Sequence, residues 1–317
     1  MPAARFRKMA ISVLAATALL TACGTDASSQ RTAPEPISPQ ITGDATFTAI
    51  TSGPRLTCAL TTQGEAVCWD LSDSGQFDPP EEWLAATKGT YIDISVGGNL
   101  HCALTEQGTA TCWRSIGGSI TYPTDTPDEA FTAIAAGIAH MCGLTERGKA
   151  ICWDLAPTLS DTPDETLTAI TGGAAYTCGL TEQGKALCWK SDPFGMIPLS
   201  DELLDELSNA PDGTFTAITA GHYHVCALTN QGKATCWGGN WFGEADAPDG
   251  TFTAIAAGFD HSCALTKQGE ATCWGDNTYG QTDAPYGTYT AITAGLFQSC
   301  ALTTQGKAVC WGNESNG

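Results

Sequence analysis

The sequence predicts an all-β chain, a seven-bladed β-propeller with four short antiparallel strands per blade. Three observations carry this. Fourteen of the fifteen cysteines fall into seven pairs, each pair ten residues apart. A tryptophan follows the second cysteine of every pair, and a glycine stands at one fixed place inside every pair. A unit recurring every few tens of residues signals a solenoid, propeller or array.

The N-terminus sets the compartment. Arg5, Arg7 and Lys8 form a basic start, and Met9 to Leu20 an apolar stretch of signal-peptide length. Leu20-Thr21-Ala22-Cys23 resembles the bacterial lipobox, in which the cysteine is acylated and becomes the first mature residue. Residues 1–23 are therefore expected to be a lipoprotein signal peptide, lipidated at Cys23. Residues 24–40, rich in Ser, Thr, Pro and Ala, read as a flexible tether, and residues 41–317 as the propeller. The predicted location is outside the cytoplasm, on a bacterial membrane, held by the lipid anchor. Without the leader, 11 basic residues face 34 acidic ones. Such a surface repels nucleic acid and anionic headgroups, so neither is expected as a ligand.

One unit shows how the pattern folds. In Thr251–Pro285, Phe252 to Ala257 reads as a strand buried on both faces. Gly258 turns the chain into a second strand, His261 to Thr266. Lys267-Gln268-Gly269 is a three-residue hairpin loop whose glycine takes the left-handed conformation. Glu270 to Trp274 returns as a third strand. In this register Cys263 lies opposite Cys273, near the separation a disulfide needs. Export favours disulfides over thiols or zinc. The expected disulfides join Cys58 to Cys68, Cys102 to Cys112, Cys142 to Cys152, Cys178 to Cys188, Cys226 to Cys236, Cys263 to Cys273 and Cys300 to Cys310. Each loop of about ten residues contributes roughly 2–3 kcal/mol on the chain-entropy model. The segment after Trp274 supplies a loop and the fourth strand.

The pattern F-T-A-I-x-A-G-x-x-H-x-C-A-L-T-x-x-G-x-A-x-C-W-G-x-N-x-x-G-Q is fullest at Phe215–Gly243 and Phe252–Gln281. It resembles the regulator of chromosome condensation repeat family. The resemblance spans about residues 41 to 317 and implies a seven-bladed propeller. Founding members exchange nucleotide on a nuclear GTPase. Trp274–Gln281 is also similar to segments of a secreted β-lactamase-inhibiting propeller, which binds its target with aromatic loops. Early units depart from the pattern, with Tyr91-Ile92-Asp93-Ile94 in the second and no Gly-x-Asn after Trp153 and Trp189. Ser200 to Leu207 is an insertion, read as a short acidic amphipathic helix capped by Ser200 and packed on the rim. The last unit lacks its Gln-to-Pro piece, which Ile37 to Thr46 resembles; this segment is predicted to complete the final blade and join the chain ends.

Strand direction puts the Gly-x-x loops and the Trp-Gly-x-Asn loops on one rim and the tight turns on the other. The first rim collects His222, Tyr223, Trp241, Phe242, Phe259, Asp260, Tyr279, Leu296 and Phe297, the candidate partner-binding residues. Aromatic side chains on loops are typical interface anchors. Arg55 and Asn99 are their plainer counterparts in the early units.

No catalytic site is expected. His140, His224 and His261 stand two residues before a first cysteine, where other units carry Tyr176, Gln298, Leu56 and Leu100. A position that accepts leucine reads as a structural hydrogen bond, not a general base. No nucleophile elbow, zincin motif or phosphate loop occurs. Asp276-Asn277 and Asp70–Asp78 lack calcium-loop spacing, so neither metal nor cofactor is expected. The reading is a monomeric extracytoplasmic module that binds a protein. Its alternatives are an inhibitor of a secreted or periplasmic enzyme such as a β-lactamase and, by family analogy, a guanine-nucleotide exchange factor.

Overall fold

The computed structural model describes residues 45–54, 56–70, 90–98, 100–116, 119–121, 126–138, 140–153, 162–191 and 199–312. The lipobox with Cys23, the tether, most of the 37–46 segment, most of 70–78, Arg55 and Asn99 lie outside the described residues. Among those described, no helix is long and apolar enough to cross a membrane.

Among the described residues, twenty-two strands form seven antiparallel sheets. The first holds β1 (Phe47–Ser52), β2 (Leu56–Thr61) and β3 (Ala66–Asp70). The second holds β4 (Tyr91–Val96), β5 (Leu100–Thr105), β6 (Ala110–Ile116) and β7 (Ser119–Thr121). The third holds β8 (Phe131–Ala136), β9 (Met141–Thr145) and β10 (Ala150–Trp153), and the fourth β11 (Leu167–Gly172), β12 (Tyr176–Thr181) and β13 (Ala186–Lys190). A helix, α1 (Asp201–Ser208), precedes the fifth sheet of β14 (Phe215–Ala220), β15 (His224–Thr229) and β16 (Ala234–Gly238). The sixth is β17 (Phe252–Ala257), β18 (His261–Thr266) and β19 (Ala271–Gly275). The seventh is β20 (Tyr289–Ala294), β21 (Gln298–Thr303) and β22 (Ala308–Gly312).

The hairpin register follows the spacing. Cys263 faces Cys273 and Ala264 faces Thr272. Gly269 takes φ +81°, which L side chains rarely adopt, so this turn admits little else. Each expected disulfide is present, and each joins the second and third strands of one sheet. Cys58 bonds Cys68 in the first sheet, Cys102 bonds Cys112 in the second, and Cys142 bonds Cys152 in the third. Cys178 bonds Cys188 in the fourth, and Cys226 bonds Cys236 in the fifth. Cys263 bonds Cys273 in the sixth, and Cys300 bonds Cys310 in the seventh. The Cα–Cα separations are 4.0–4.1 Å throughout.

Burial corrects one expectation. Residues 252–257 do not form a strand buried on both faces: Thr253 is exposed, and Ala254, Ile255 and Ala257 are half-buried. The strand covered on both faces is β18, buried from His261 to Leu265. The cause is position. The second strand of each sheet lies between its neighbours in the sheet and under the adjacent sheets. The first strand borders the space where all seven sheets meet.

The expected fourth strand is absent from the fifth and sixth sheets, whose following segments are described in full. Only the second sheet has four strands among the described residues. After Trp237 and Trp274 the chain folds into side-chain-locked turns instead. Asn240 accepts from Ala245 N–H (3.0 Å) and donates to Asp246 (2.9 Å); Asn277 does the same with Thr282 N–H (3.0 Å) and Asp283 (2.9 Å). With its polar groups held there, the backbone runs no ladder with β16 or β19.

Helix α1 forms where the inserted segment predicts it. Ser200 Oγ accepts from Leu203 N–H at 3.2 Å, and Asp201 and Glu202 occupy the first turn, favoured by the helix dipole. Leu207 is fully buried, and its carbonyl accepts from the Trp237 indole at 2.9 Å.

Neighbouring sheets are joined by repeated contacts. Phe252 N–H donates to Gly232 O and Tyr289 N–H to Gly269 O, both 2.8 Å. The same bond links the seventh sheet to the first, from Phe47 N–H to Gly306 O at 2.8 Å.

Candidate interaction rim

Each first strand ends at a glycine, and these seven glycines stand shoulder to shoulder. They are Gly53, Gly97, Gly137, Gly173, Gly221, Gly258 and Gly295, and they border a cavity of about 80 Å³ lined by residues of all seven sheets. A Cβ on Gly258 would lie 2.5 Å from Gly295 O; one on Gly221, 2.4 Å from Gly258 O; one on Gly53, 2.6 Å from Gly97 O; and one on Gly295, 2.7 Å from Gly53 O. None of these glycines has positive φ. They are required by close approach, not by backbone conformation. Hydrogen bonds knit the same circle: Phe259 N–H donates to Gly295 O (2.9 Å) and His222 N–H to Gly258 O (3.1 Å).

Behind the glycines lie the histidines. His224 Nε2 meets Ser262 Oγ at 2.7 Å, His261 Nε2 meets Ser299 Oγ at 2.9 Å, and His140 Nε2 meets Thr177 Oγ1 at 2.8 Å, each reaching the next sheet. Ser262 spends its proton on Glu244 O (3.2 Å), and Ser299 on Gln281 O (2.9 Å). His224 and His261 must therefore donate through Nε2, which fixes their neutral tautomer. Burial lowers His224 to about 3 and His261 to about 4. These rings are structural couplers between sheets, sealed from solvent.

Six of the nine rim candidates form two groups of packed rings. In the first, His222 is sandwiched, 3.7 Å from the Tyr223 ring and 3.5 Å from Phe259, and Tyr223 meets Trp241 edge-on at 5.6 Å. In the second, Tyr279 packs on Phe297 at 4.5 Å. His222, Phe259 and Leu296 also line the cavity mouth. Seven of the nine, Asp260 among them, are half-buried. Trp241 and Phe242 are the exception, 62 % and 54 % exposed. The rim therefore offers one projecting pair on a base of packed aromatics.

What holds that pair was not visible in the sequence. Glu244 is buried, and its carboxylate accepts the Trp241 N–H (3.1 Å) and the Phe242 N–H (2.7 Å). Its carbonyl takes the Trp274 indole at 2.9 Å. The sixth sheet has Gln281 at this place, accepting the Tyr279 N–H at 2.8 Å and donating to Asp276 at 2.9 Å. A match to the family pattern reads Glu244 as a simple departure; only the fold shows a second acceptor atom in use.

The rim is acidic. Burial, then the Glu244 and Asp276 carboxylates, raise Asp260 to about 6. Tyr223 is raised by burial and then by Asp260. Among the described residues no cluster of three or more His, Cys, Asp or Glu is placed to hold a metal ion.

The regulator of chromosome condensation (RCC1) repeat matches residues 215–244, 252–281 and 289–317. No curated protein matches the chain. Among solved structures, the ectodomain of the Physcomitrella patens receptor kinase CR4 is 25 % identical over 84 % of this chain and 74 % of that one, with TM-score 0.63. The CRINKLY WD40 ectodomain of the Arabidopsis thaliana receptor kinase ACR4 is 22 % identical over 86 % and 100 %, with TM-score 0.62. Prp20p from Saccharomyces cerevisiae is 17 % identical over 84 % and 82 %, with TM-score 0.59. These likenesses show the fold of a seven-sheet propeller.

Proposed function

We propose, on the premise that this chain is a regulator of chromosome condensation repeat protein, that it is a protein-binding module working outside the cytoplasm. The observation that carries this reading is the Trp241–Phe242 pair. Two large aromatic side chains project into solvent on a loop pinned by a buried carboxylate. Displaying them costs solvation, and pinning them lowers the entropy lost on binding. A catalytic reading has no comparable support, because the histidines are buried couplers. Protein binding is in keeping with Prp20p, whose structure is described with its binding to Gsp1p and histones.

Location and anchoring belong to the same proposal. Seven disulfides suit an oxidising compartment. The leader and lipobox supply export and acylation at Cys23. Residues 37–46 complete the last blade and close the ring as a monomer. Labelled palmitate taken up by the parent chain and lost with Cys23→Ser tests the anchor.

The test of binding uses the whole oxidised chain immobilised against cell-surface extract. A specific partner should be captured by the parent, and lost when Trp241 and Phe242 are both changed to alanine. Capture indifferent to that double change would refute the reading. Tight inhibition of a β-lactamase would select the enzyme-inhibitor alternative, and nucleotide release from a GTPase the exchange-factor alternative.

A further inference from the structure

We infer that the rim around Tyr223, Trp241 and Asp260 receives a cationic side chain, arginine or lysine, from an exposed segment of the protein partner. This inference rests on the binding-module reading and names the chemistry of what is bound.

Three observations converge. The first is geometric. Tyr223 stands edge-on to Trp241, giving an aromatic corner open on the Trp241 side. Ring faces attract cations, arginine and lysine above all, and indole most strongly. The second is the placement of charge. Asp260 acts electrostatically on Tyr223, and is itself acted on by Glu244 and Asp276. Asp276 is fixed to Asp260 through its backbone, N–H to O at 2.8 Å. An aromatic corner coupled to these carboxylates holds a guanidinium or ammonium by face and by charge together.

The third observation is what the last three blades lack on this rim. From residue 199 to residue 312 the basic side chains are Lys233, Lys267 and Lys307. All three stand beside the tight turns, on the opposite rim. Lys307 Nζ there reaches Ala45 O at 3.1 Å, at the start of the first sheet. No cation of the chain's own competes for the corner among the described residues of these three blades. With 34 acidic against 14 basic residues overall, the long-range field draws in a basic partner and repels an acidic one. A purely apolar partner would leave the half-buried Asp260 desolvated without compensation.

Fluorescein-labelled peptides of alternating glycine with arginine, glutamine or glutamate, ten residues each, serve as probes. They are titrated against the full oxidised chain by anisotropy at low and high salt. The arginine peptide should bind at least about tenfold more tightly than the glutamine peptide, with the gap shrinking at high salt. Trp241→Ala should weaken arginine-peptide binding about 5- to 30-fold. Asp260→Asn should weaken it about 3- to 5-fold without lowering the melting temperature. Glu270→Gln, which removes the same charge on the opposite rim, should leave it unchanged; this separates the corner from the general acidity of the chain. Lowering the pH from 7.5 to 5 should weaken the parent and leave Asp260→Asn unaffected.

An arginine peptide that binds no better than the glutamine peptide overturns the inference. So does binding that Glu270→Gln weakens as much as Asp260→Asn. If, alongside either result, Trp241 and Phe242 are still needed for capture from surface extract, the binding-module reading stands and only the cationic ligand falls.

Discussion

Replacing Gly258 with alanine should destabilise the protein, although alanine is ordinarily a mild exchange for glycine. Where the backbone suits alanine, the exchange stabilises by about 0.4–1 kcal/mol through the unfolded chain. The backbone at Gly258 is not left-handed, so that gain is available. The new Cβ, however, would lie 2.5 Å from Gly295 O and 2.6 Å from His261 Cε1. Ordinary contact begins at 3.4 Å, so the sixth and seventh sheets must part by almost 1 Å. Overpacking of this kind costs about 1–3 kcal/mol. The Phe259 N–H bond to Gly295 O (2.9 Å) is stretched at the same point, adding about 1 kcal/mol. Less the unfolded-chain gain, a net loss of about 1–3.6 kcal/mol lowers the melting temperature by about 2–14 °C at roughly 2–4 °C per kcal/mol. Calorimetry without reductant measures it. Gly243→Ala is the comparison: φ there is +84° and the added Cβ meets little, with Asp246 Oδ2 at 3.6 Å, so only about 1–2 kcal/mol of backbone strain applies. A Gly258→Ala protein melting within about 2 °C of the parent would refute the close-approach argument.

Glu244→Gln keeps one acceptor for the Trp241–Phe242 amides and loses the other, so their hydrogen exchange should quicken about fivefold, equivalent to about 1 kcal/mol; unchanged protection would count against the pinned loop. Ser262→Ala leaves the His224 Nε2–H without a partner and should cost about 1–3 kcal/mol in denaturant unfolding. Adding His224→Leu, the residue type at Leu56 and Leu100, should recover much of that loss, and a double variant as weak as the sum of its parts speaks against the coupling. Acid should unfold the protein early. His101, His224 and His261 are held at about 4, 3 and 4 in the fold against 6.5 unfolded. The unfolded chain therefore binds their protons first, and their stabilisation, complete above pH 6.5, is lost as pH falls toward 4. At pH 5 each buried histidine accounts for about 2 kcal/mol. Asp93 and Asp260, raised to about 6, act in the opposite sense below that pH and offset part of the loss. Denaturant melts from pH 8 to 4 that stay flat would contradict the buried neutral histidines.

Local chemistry was legible in the sequence, and chemistry that depends on assembly was not. The ten-residue spacing sets Cys263 against Cys273 because both belong to one hairpin, and Gly269 announces its turn. Gly258 carries no such signal. Its neighbour is Gly295, a full repeat away, and the sequence shows only a glycine at the end of a strand. The same distance hid which strand is covered on both faces, since β17 (FTAIAA) is more apolar than β18 (HSCALT) and only the convergence of the sheets leaves β18 the more buried. Asn277 was read as part of a loop before a fourth strand. It ties that loop to Asp283 and so forestalls the strand. On the rim, aromatic type was readable and exposure was not: Phe259 and Phe242 look alike in sequence, yet one stacks on His222 and the other faces water.

Among the described residues every sulfur bridge lies within a single hairpin, and that bears on how the chain matures. Each cysteine emerges from the synthesising or translocating machinery only ten residues ahead of its mate. An oxidant acting on the growing chain thus finds at most one open couple at a time, taken in order from Cys58 and Cys68 to Cys300 and Cys310. Scrambled isomers require a later cysteine to overtake a nearer one. Correct bonding is therefore secured by order of appearance, and the protein should tolerate a host with little shuffling activity.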